Sequence, residues 1–187
     1  MTTTLFYRSP VVRFVPDKTD ELSKRLQYLE DIEAVRGLIT KAETLRDGTT
    51  AESVDELLQY VTPDIRFVWS LEGLEVKGKE KLRENLLIPL KKRVWSRHVI
   101  TNLQVDVKGR NAEATWYVMA EGVSRVEPTK GGDEQSKHTS PGNPDTIIHI
   151  DTKGAKWARL VRMKDGWKIK DYRTDMVRLS PQTLKVR

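Results

Sequence analysis

The sequence has no cysteine and no long apolar run, and it contains only three histidines among its 187 residues. The absence of cysteine excludes disulfide bonds, thiolate metal sites and a cysteine nucleophile, and it is compatible with any redox compartment. No stretch approaches the ~20 apolar residues of a membrane-spanning helix, and the N-terminal segment lacks an apolar run behind a basic start. We therefore expect a cytoplasmic protein that makes no use of a membrane.

The motifs of common phosphate, metal and serine-nucleophile sites are also missing. The one glycine pair, "KGG" at 130–132, lies in a polar stretch without the flanking strand and helix that a phosphate loop needs. No H-E-x-x-H or similarly spaced ligand set is present, and no serine lies in the strand-turn-serine context of a hydrolase. We expect no metal site and no cofactor.

The composition is that of a globular protein, with 37% hydrophobic residues, 32% charged residues and five tryptophans. The length is typical of one domain with one sizeable core. A net charge of +6 and a pI near 9.5 would permit an anionic partner. Part of the excess lies in 77–83 and 91–97, but no signature of nucleic-acid binding accompanies it, so we interpret these charges as solvated helix faces and expect no nucleic-acid partner.

Helical spacing dominates the first half of the chain. Apolar residues recur at steps of three and four from Leu22 to Leu45, behind a capping Thr19 or Asp20, until "RDG" ends the pattern. A shorter helix fits 51–61, and a third, bent before Pro89, fits 79–95. Two short strands, 64–70 and 74–78, are predicted between them.

The second half alternates with a period of two, which is typical of strands. Two hairpins are predicted, 97–107 with 112–124 and 156–163 with 167–177. The insert at about 125–145 is rich in Gly, Pro, Ser and charge, so it is either disordered or a lid. The predicted organisation is an N-terminal arm (1–18), one α+β domain (19–180) with helices packed on the concave face of a curved antiparallel sheet, and a C-terminal tail (181–187).

His98 starts a predicted strand and is the histidine best suited to act as a catalytic base. Strict alternation places it with Ile100 and Asn102, on the face where the next strand carries Tyr117 and Met119. If this mixed polar and apolar face lines a concavity, the imidazole can act as a base. If the face is solvated, His98 is an ordinary polar residue at the edge of a sheet.

A carboxylate that holds the other ring nitrogen would make the imidazole a better base. Asp47 is one candidate because it follows the first helix, where the chain turns back toward the sheet. Asp64 is another, although "TPD" is typical of a turn, and Asp106 and Asp171 fit charges at the rim of a sheet. The spacing alone leaves these alternatives open.

Four segments in succession resemble the SnoaL-like branch of the nuclear-transport-factor-2-like superfamily, which has a cone-shaped, cystatin-like α+β fold. The resemblance covers roughly residues 28–178, and within the superfamily the sequence looks most like scytalone dehydratase, hexachlorocyclohexane dehydrochlorinase and the bile-acid dehydratases. The segments are "EDIEAVRGLITKAETLRDG", "DELLQYVTPDIRFVWSLEGLEVKGKEKLRENL", "RHVITNLQVDVKGRNAEATWYV" and "RLVRMKDGWKIKDYRTDMV".

The resemblance implies an Asp-His dyad, which matches Asp47 and His98, with Asn102 four residues further on. Arg46 stands where scytalone dehydratase has a tyrosine, and the loop "GTTAES" after Asp47 is longer than usual. Further residues are expected to contact substrate: Trp69, Trp116, Tyr117, Met119, His149, Trp157 and Arg159. The general acid is unassigned, with Lys41, Tyr60, Tyr117, His149 and Arg159 as candidates.

The main hypothesis is therefore a cofactor-independent lyase or isomerase, dehydratase- or cyclase-like, that acts on a hydrophobic, oxygenated small molecule of polyketide or terpenoid metabolism. A homodimer or higher homo-oligomer is expected, as is common in this superfamily. The alternative is a non-catalytic module of the same fold that binds a small molecule or supports dimeric assembly. An enzyme would bring an Asp47 carboxylate oxygen within ~3.2 Å of a His98 ring nitrogen, beside an enclosed cavity.

Overall fold

The structure, a computed structural model, describes residues 19–125, 146–178 and 182–185. The predicted arm at 1–18 and the insert at 126–145 lie outside these residues, and from the predicted tail only Gln182–Lys185 is described. The elements are α1 (Thr19–Arg46), α2 (Ala51–Leu57), a 3₁₀ turn (Leu58–Tyr60), β1 (Val61–Trp69), β2 (Leu74–Lys77), α3 (Lys79–Leu90), β3 (Arg93–Lys108), β4 (Asn111–Arg125), β5 (Thr146–Met163), β6 (Gly166–Arg178) and β7 (Gln182–Lys185).

The strands form one open sheet in the order β2-β1-β6-β5-β4-β3, with β7 paired to β5. The predicted α+β fold is confirmed. The prediction of an antiparallel sheet needs one correction, because β1 and β6 run parallel. The two strands are joined through α3 and the long hairpins rather than by a tight turn, so no turn imposes antiparallel pairing. Pro63 lies in β1 where the β1–β6 register is interrupted, so its missing N–H breaks no ladder bond.

The core lies between one face of the sheet, here called the inner face, and the helices. Val35, Ile39 and Ala42 of α1 are buried against it, together with Trp116 of β4 and Leu160 of β5. The first three turns of α1 are different, because its residues 22–30 are all exposed. The apolar periodicity of α1 therefore continues beyond the part of the helix that the sheet covers. Within the described ranges, no helix is long and apolar enough to cross a membrane.

A β-bulge in β3 decides which residues point to the inner face. Thr101 pairs with Tyr117 and Gln104 with Thr115, so β3 has one residue more than β4 between these pairs. Asn102 lies in the bulge with φ +53°, a left-handed conformation that asparagine tolerates better than most residues. Strict alternation through 98–106 was therefore wrong.

The bulge corrects the predicted surroundings of His98. His98 is opposite Ala120, on the inner face with Trp116 and Val118. Tyr117 and Met119 lie on the other side of the sheet, the outer face, where each is almost half exposed. The histidine therefore belongs to the face that the helices cover and not to the mixed face on which alternation placed it.

Candidate active site

His98 and Asp47 meet at the end of α1. The Asp47 Oδ1 atom lies 2.7 Å from His98 Nδ1. Their side chains are 29% and 11% exposed, respectively, so the pair is largely shielded from water. The loop after Asp47 is short in the structure, because residues from Ala51 onward form α2, which Thr50 caps. The additional residues therefore do not displace the carboxylate.

The chain near the start of β3 fixes the end of α1 in this position. The Arg93 guanidinium donates from Nη1 to the carbonyl oxygens of Arg46, at 2.9 Å, and Gly48, at 3.2 Å. The Ser96 hydroxyl lies 3.3 Å from the carbonyl oxygen of Asp47. These bonds satisfy carbonyl groups that a helix leaves unpaired at its C-terminus, and they attach Asp47 to the strand that carries His98.

Burial holds the pKa of His98 below its usual value of 6.5, and the positive charges of Lys156 and Arg46 act in the same direction. The hydrogen bond with Asp47 and the charge of Glu43 oppose this lowering. At neutral pH the imidazole is thus uncharged. A carboxylate only accepts hydrogen bonds, so the Nδ1 atom carries the proton and Nε2 is left as the basic nitrogen.

A buried ionic cluster lies beside this pair. Lys156 of β5 donates from Nζ to Glu43 Oε2 at 2.6 Å, and the Tyr172 hydroxyl of β6 donates to Glu43 Oε1 at 2.5 Å. Burial raises the pKa of Glu43, but the charges of Lys156 and Arg46 and the hydrogen bond from Lys156 outweigh it, and the pKa falls to about 2. Burial lowers the pKa of Lys156 to about 8 and raises the pKa of Tyr172 well above 10.

Arg46, the last residue of α1, inserts its guanidinium among three aromatic rings. The Cζ atom lies 5.5–5.6 Å from the ring centroids of Phe67, Trp69 and Tyr172. Its Nε atom is buried and has no hydrogen-bond partner in the described part of the chain. A cation held over aromatic rings is stabilised electrostatically, but its N–H groups keep their need for acceptors.

Arg46, Trp69 and Lys156 line a cavity of about 250 Å³, close to the lower end of the ~300–1,000 Å³ typical of ligand pockets. The cavity lies between the end of α1, the α3–β3 connection and the inner face, and His98 contributes to its wall. The charged and polar lining residues are Arg46, Glu72, Arg93, Ser96, Glu121, Ser124, Thr152, Lys156 and Thr174. The apolar walls come mainly from Trp69, Leu71, Pro89, Trp95, Ala120, Ile150 and Met176.

The other predicted substrate contacts divide between the two faces. Trp69 lines the cavity, and Trp116 is buried in the core on the same face. The structure does not bring the rest to the cavity, because the bulge and the strand phase place them elsewhere. Tyr117, Met119, His149, Trp157 and Arg159 have their register positions on the outer face, and Asn102 is exposed in the bulge.

The acid candidates are also placed away from the cavity. Lys41 forms an exposed ion pair with Glu56, at 2.8 Å, and Tyr60 packs against the core. Arg159 Nε is 2.7 Å from Asp171 Oδ2. His149 Nε2 is 3.9 Å from Glu121 Oε2, a distance that suits a weak ion pair rather than a hydrogen bond. None of these four lines the cavity described above.

Sequence reasoning missed the groups that bring charge to the cavity, although a signal for two of them exists. Glu43 lies one turn after Ile39, on the buried stripe of α1, and Lys156 is in phase with Ala158 and Leu160 on β5. A charge that shares a helix or strand face with buried apolar residues is a signal for a buried pair, and the sequence shows it for both residues. No group of three or more His, Asp or Glu among the described residues is arranged to hold a metal ion.

Comparisons with known proteins identify the family to which the sequence is similar. The model of the SnoaL-like domain matches residues 27–173. A comparison with curated proteins finds no significant match. The solved structures described below are each less than 25% identical to this chain, so these similarities concern the fold alone.

Three solved structures illustrate the similarity. A provisionally assigned aromatic ring hydroxylase from Novosphingobium aromaticivorans is 22% identical, with a TM-score of 0.64 over 83% of this chain and 94% of that one. A provisionally assigned scytalone dehydratase from the same organism is 15% identical, with a TM-score of 0.59 over 85% and 91%. A hexachlorocyclohexane dehydrochlorinase is 17% identical, with a TM-score of 0.53 over 88% and 91%.

Proposed function

Because the chain belongs to the SnoaL-like domain family, we propose that it is a cofactor-independent lyase or isomerase in which His98 removes a carbon-bound proton. The observation that carries the proposal is the contact of Asp47 Oδ1 with His98 Nδ1 at 2.7 Å beside the cavity. The fold relatives named as a dehydratase and a dehydrochlorinase are consistent with elimination chemistry.

The first step transfers a proton from substrate carbon to His98 Nε2. Asp47 orients the ring through Nδ1–H and stabilises the imidazolium after transfer, so it is a positioning residue. The lowered pKa of His98 keeps the base uncharged at neutral pH, ready to accept the proton. General-base catalysis of this type contributes ~10²–10⁴ in rate.

We assign the proton donor for the departing oxygen to Lys156, which lines the same cavity. Its pKa of about 8 lies close to neutrality, where a general acid works best. In a dehydration, the C–H bond breaks toward His98, its electron pair forms the new double bond, and the C–O bond breaks. The leaving oxygen takes a proton from Lys156 and departs as water, and solvent then returns one proton to Lys156 and removes one from His98.

Hydrogen–deuterium exchange tests the proton-abstraction step without knowledge of the leaving group. Compact ketones and β-hydroxyketones are incubated with the protein in D₂O, and deuterium uptake at carbon is followed by NMR. We expect catalysed exchange with the wild type and a loss of ~10²–10⁴ in H98Q. The matched control is H149Q, because His149 also faces a carboxylate but lies on the outer face. Equal exchange by H98Q and wild type would contradict the proposal.

A second candidate function, a dimeric assembly module, is favoured by one observation on the outer face. Val99 pairs with Met119, Met119 with Lys153, and Lys153 with Val177, so three exposed apolar side chains lie in one row across four strands. We propose that this row lies in a homodimer interface. Light scattering after size exclusion tests it, since M119E should convert a dimer to a monomer. A wild-type protein that is monomeric at high concentration would exclude this candidate.

A further inference from the structure

Arg46 differs in how its charge is compensated from the arginines of the described chain that form ion pairs. Five others are each paired with a carboxylate: Arg66 with Glu75, Arg83 with Asp55, Arg159 with Asp171, Arg162 with Asp31 and Arg173 with Asp175. The Arg46 guanidinium, which lines the cavity with His98, has neither a hydrogen bond nor an ion pair to any described residue. Its aromatic neighbours cannot replace hydrogen-bond acceptors.

The nearby carboxylates are already engaged. Glu43, one turn before Arg46, accepts from Lys156 with one oxygen and from Tyr172 with the other. Asp47 is held by His98. Of the two carboxylates that line the cavity, Glu72 is exposed, and Glu121 Oε2 lies 3.9 Å from His149 Nε2. The described carboxylates therefore leave the Arg46 guanidinium, which lines the cavity, without a hydrogen-bond acceptor.

A second polar group on the cavity wall also lacks a partner. The Thr174 side chain is only 1% exposed, and its hydroxyl has no hydrogen-bond partner among the described residues. Thr174 follows Tyr172 by two residues on β6, so it lies on the same face as the ring under Arg46. A buried hydroxyl and a buried guanidinium N–H without acceptors cost free energy until a ligand supplies the acceptors.

We propose that the cavity binds a compact small molecule that carries an anionic oxygen, a carboxylate or a phenolate, and that Arg46 holds this oxygen. Guanidinium suits such oxygens because it presents parallel N–H donors, and the burial of the Arg46 Nε atom strengthens the interaction. Placement of the acidic C–H of the same molecule toward His98 rests on the proposed function. In that placement, Arg46 also stabilises the negative charge that develops when the proton is removed.

Paired probes of similar shape test the anion site. Benzoate is compared with benzamide, and 4-nitrophenolate with 4-nitroanisole, by isothermal titration calorimetry and ligand-observed NMR. We expect the wild type to bind at least one anion ten times or more tightly than its neutral counterpart. The first pair reports a carboxylate and the second a phenolate, so the two outcomes identify the class of oxygen.

Variants then assign the preference to Arg46. R46Q should lose it, R46K should retain part of it, and R83Q, which disrupts an exposed pair with Asp55, should leave it unchanged. Equal binding of both members of both pairs by the wild type overturns the proposal, and that comparison needs no variant to fold. A folded R46Q that keeps the full preference also overturns it.

Failure of the proposed function gives a different result. H98Q should still prefer the anion, because the imidazole supplies no charge at neutral pH. If H98Q retains both anion binding and full deuterium exchange, proton transfer is wrongly assigned while the anion site stands.

Discussion

Replacement of Lys156 by methionine removes a charge from the buried cluster with little change in side-chain length. Lys156 and Glu43 are 2% and 3% exposed, and their charged atoms lie 2.6 Å apart. K156M therefore leaves the Glu43 carboxylate buried with Tyr172 as its hydrogen-bond donor. Removal of one partner from a buried ion pair costs ~3–5 kcal/mol, because the remaining charge is uncompensated.

The pKa values lead to a similar magnitude. The pKa of Glu43 is about 2 instead of 4.5, and a difference of that size corresponds to about 3 kcal/mol of stabilisation of the folded state. Lys156 opposes this stabilisation. Burial lowers its pKa from 10.5 to about 8, which destabilises the folded state by about 3 kcal/mol at neutral pH. The Lys156–Glu43 pair as a whole thus contributes little to the stability of the folded state, whereas the loss of one member lowers that stability strongly. E43Q/K156M, which keeps an acceptor for Tyr172, should recover more than half of the loss.

The pH dependence of stability should reverse in K156M. In the wild type, the folded pKa of Glu43 is below the unfolded one, so its stabilisation is present above pH 4.5 and is lost as the pH falls toward 2. Without Lys156, burial raises the folded pKa of Glu43 above the unfolded value. The folded state then binds the proton more tightly, so the stability of the variant rises as the pH falls from 7 toward 5.

Urea unfolding followed by far-UV circular dichroism at pH 7 and pH 5 measures both effects. The matched control is K41M, which removes an exposed lysine from its pair with Glu56 and should leave the urea midpoint unchanged. A loss of less than ~1 kcal/mol in K156M at pH 7, or a deficit that does not shrink at pH 5, would refute the reasoning.

Three further substitutions test other parts of the site. D47N should lower the pKa of His98 further, because the hydrogen bond with Asp47 raises it, and should reduce turnover by ~10² or more. NMR titration of the imidazole ring measures the pKa, and exchange kinetics measure the turnover. An unchanged titration would count against the contact between Asp47 and His98. R93M removes the donor to two carbonyl groups at the end of α1 and should cost ~1–3 kcal/mol in urea unfolding, while a neutral result would show that water replaces it. N102V should cost ~1–2 kcal/mol because φ is +53° there, whereas N102G should be nearly neutral; equal stabilities would argue against the bulge.

The elements of the fold could be predicted from the sequence, because periodicity reports local structure directly. The helical segment that ends at "RDG", which could have been one helix or two in line, is one helix, and the two long hairpins are present as expected. The parallel pairing of β1 with β6 could not be read in this way, since it joins residues about a hundred positions apart. The meeting of Asp47 with His98 followed from the family resemblance, because spacing alone left Asp64, Asp106 and Asp171 open.

The wall of the cavity was predicted poorly for a specific reason. The extra residue at Asn102 reverses which residues of β3 point to the inner face, and no residue type in "VITNLQV" indicates this bulge. That shift is the reason for the incorrect association of Tyr117 and Met119 with His98. Lys156 and Glu43, in contrast, can be recognised in the sequence as charged residues on the apolar faces of a strand and a helix. That they pair with each other becomes clear only once β5 and α1 are known to face each other.

The two ends of α1 differ in a way that affects how the site is lost. The helix starts with three exposed turns and ends in a turn that Arg93 holds in place, and this last turn carries Glu43 and Arg46, with Asp47 directly after it. Opening of this single turn separates the imidazole from its carboxylate, the ammonium from its counter-ion and the guanidinium from its rings at once. We therefore expect these three contacts to be lost together rather than by stepwise fraying, and the amide protons of this turn to show similar protection in hydrogen exchange.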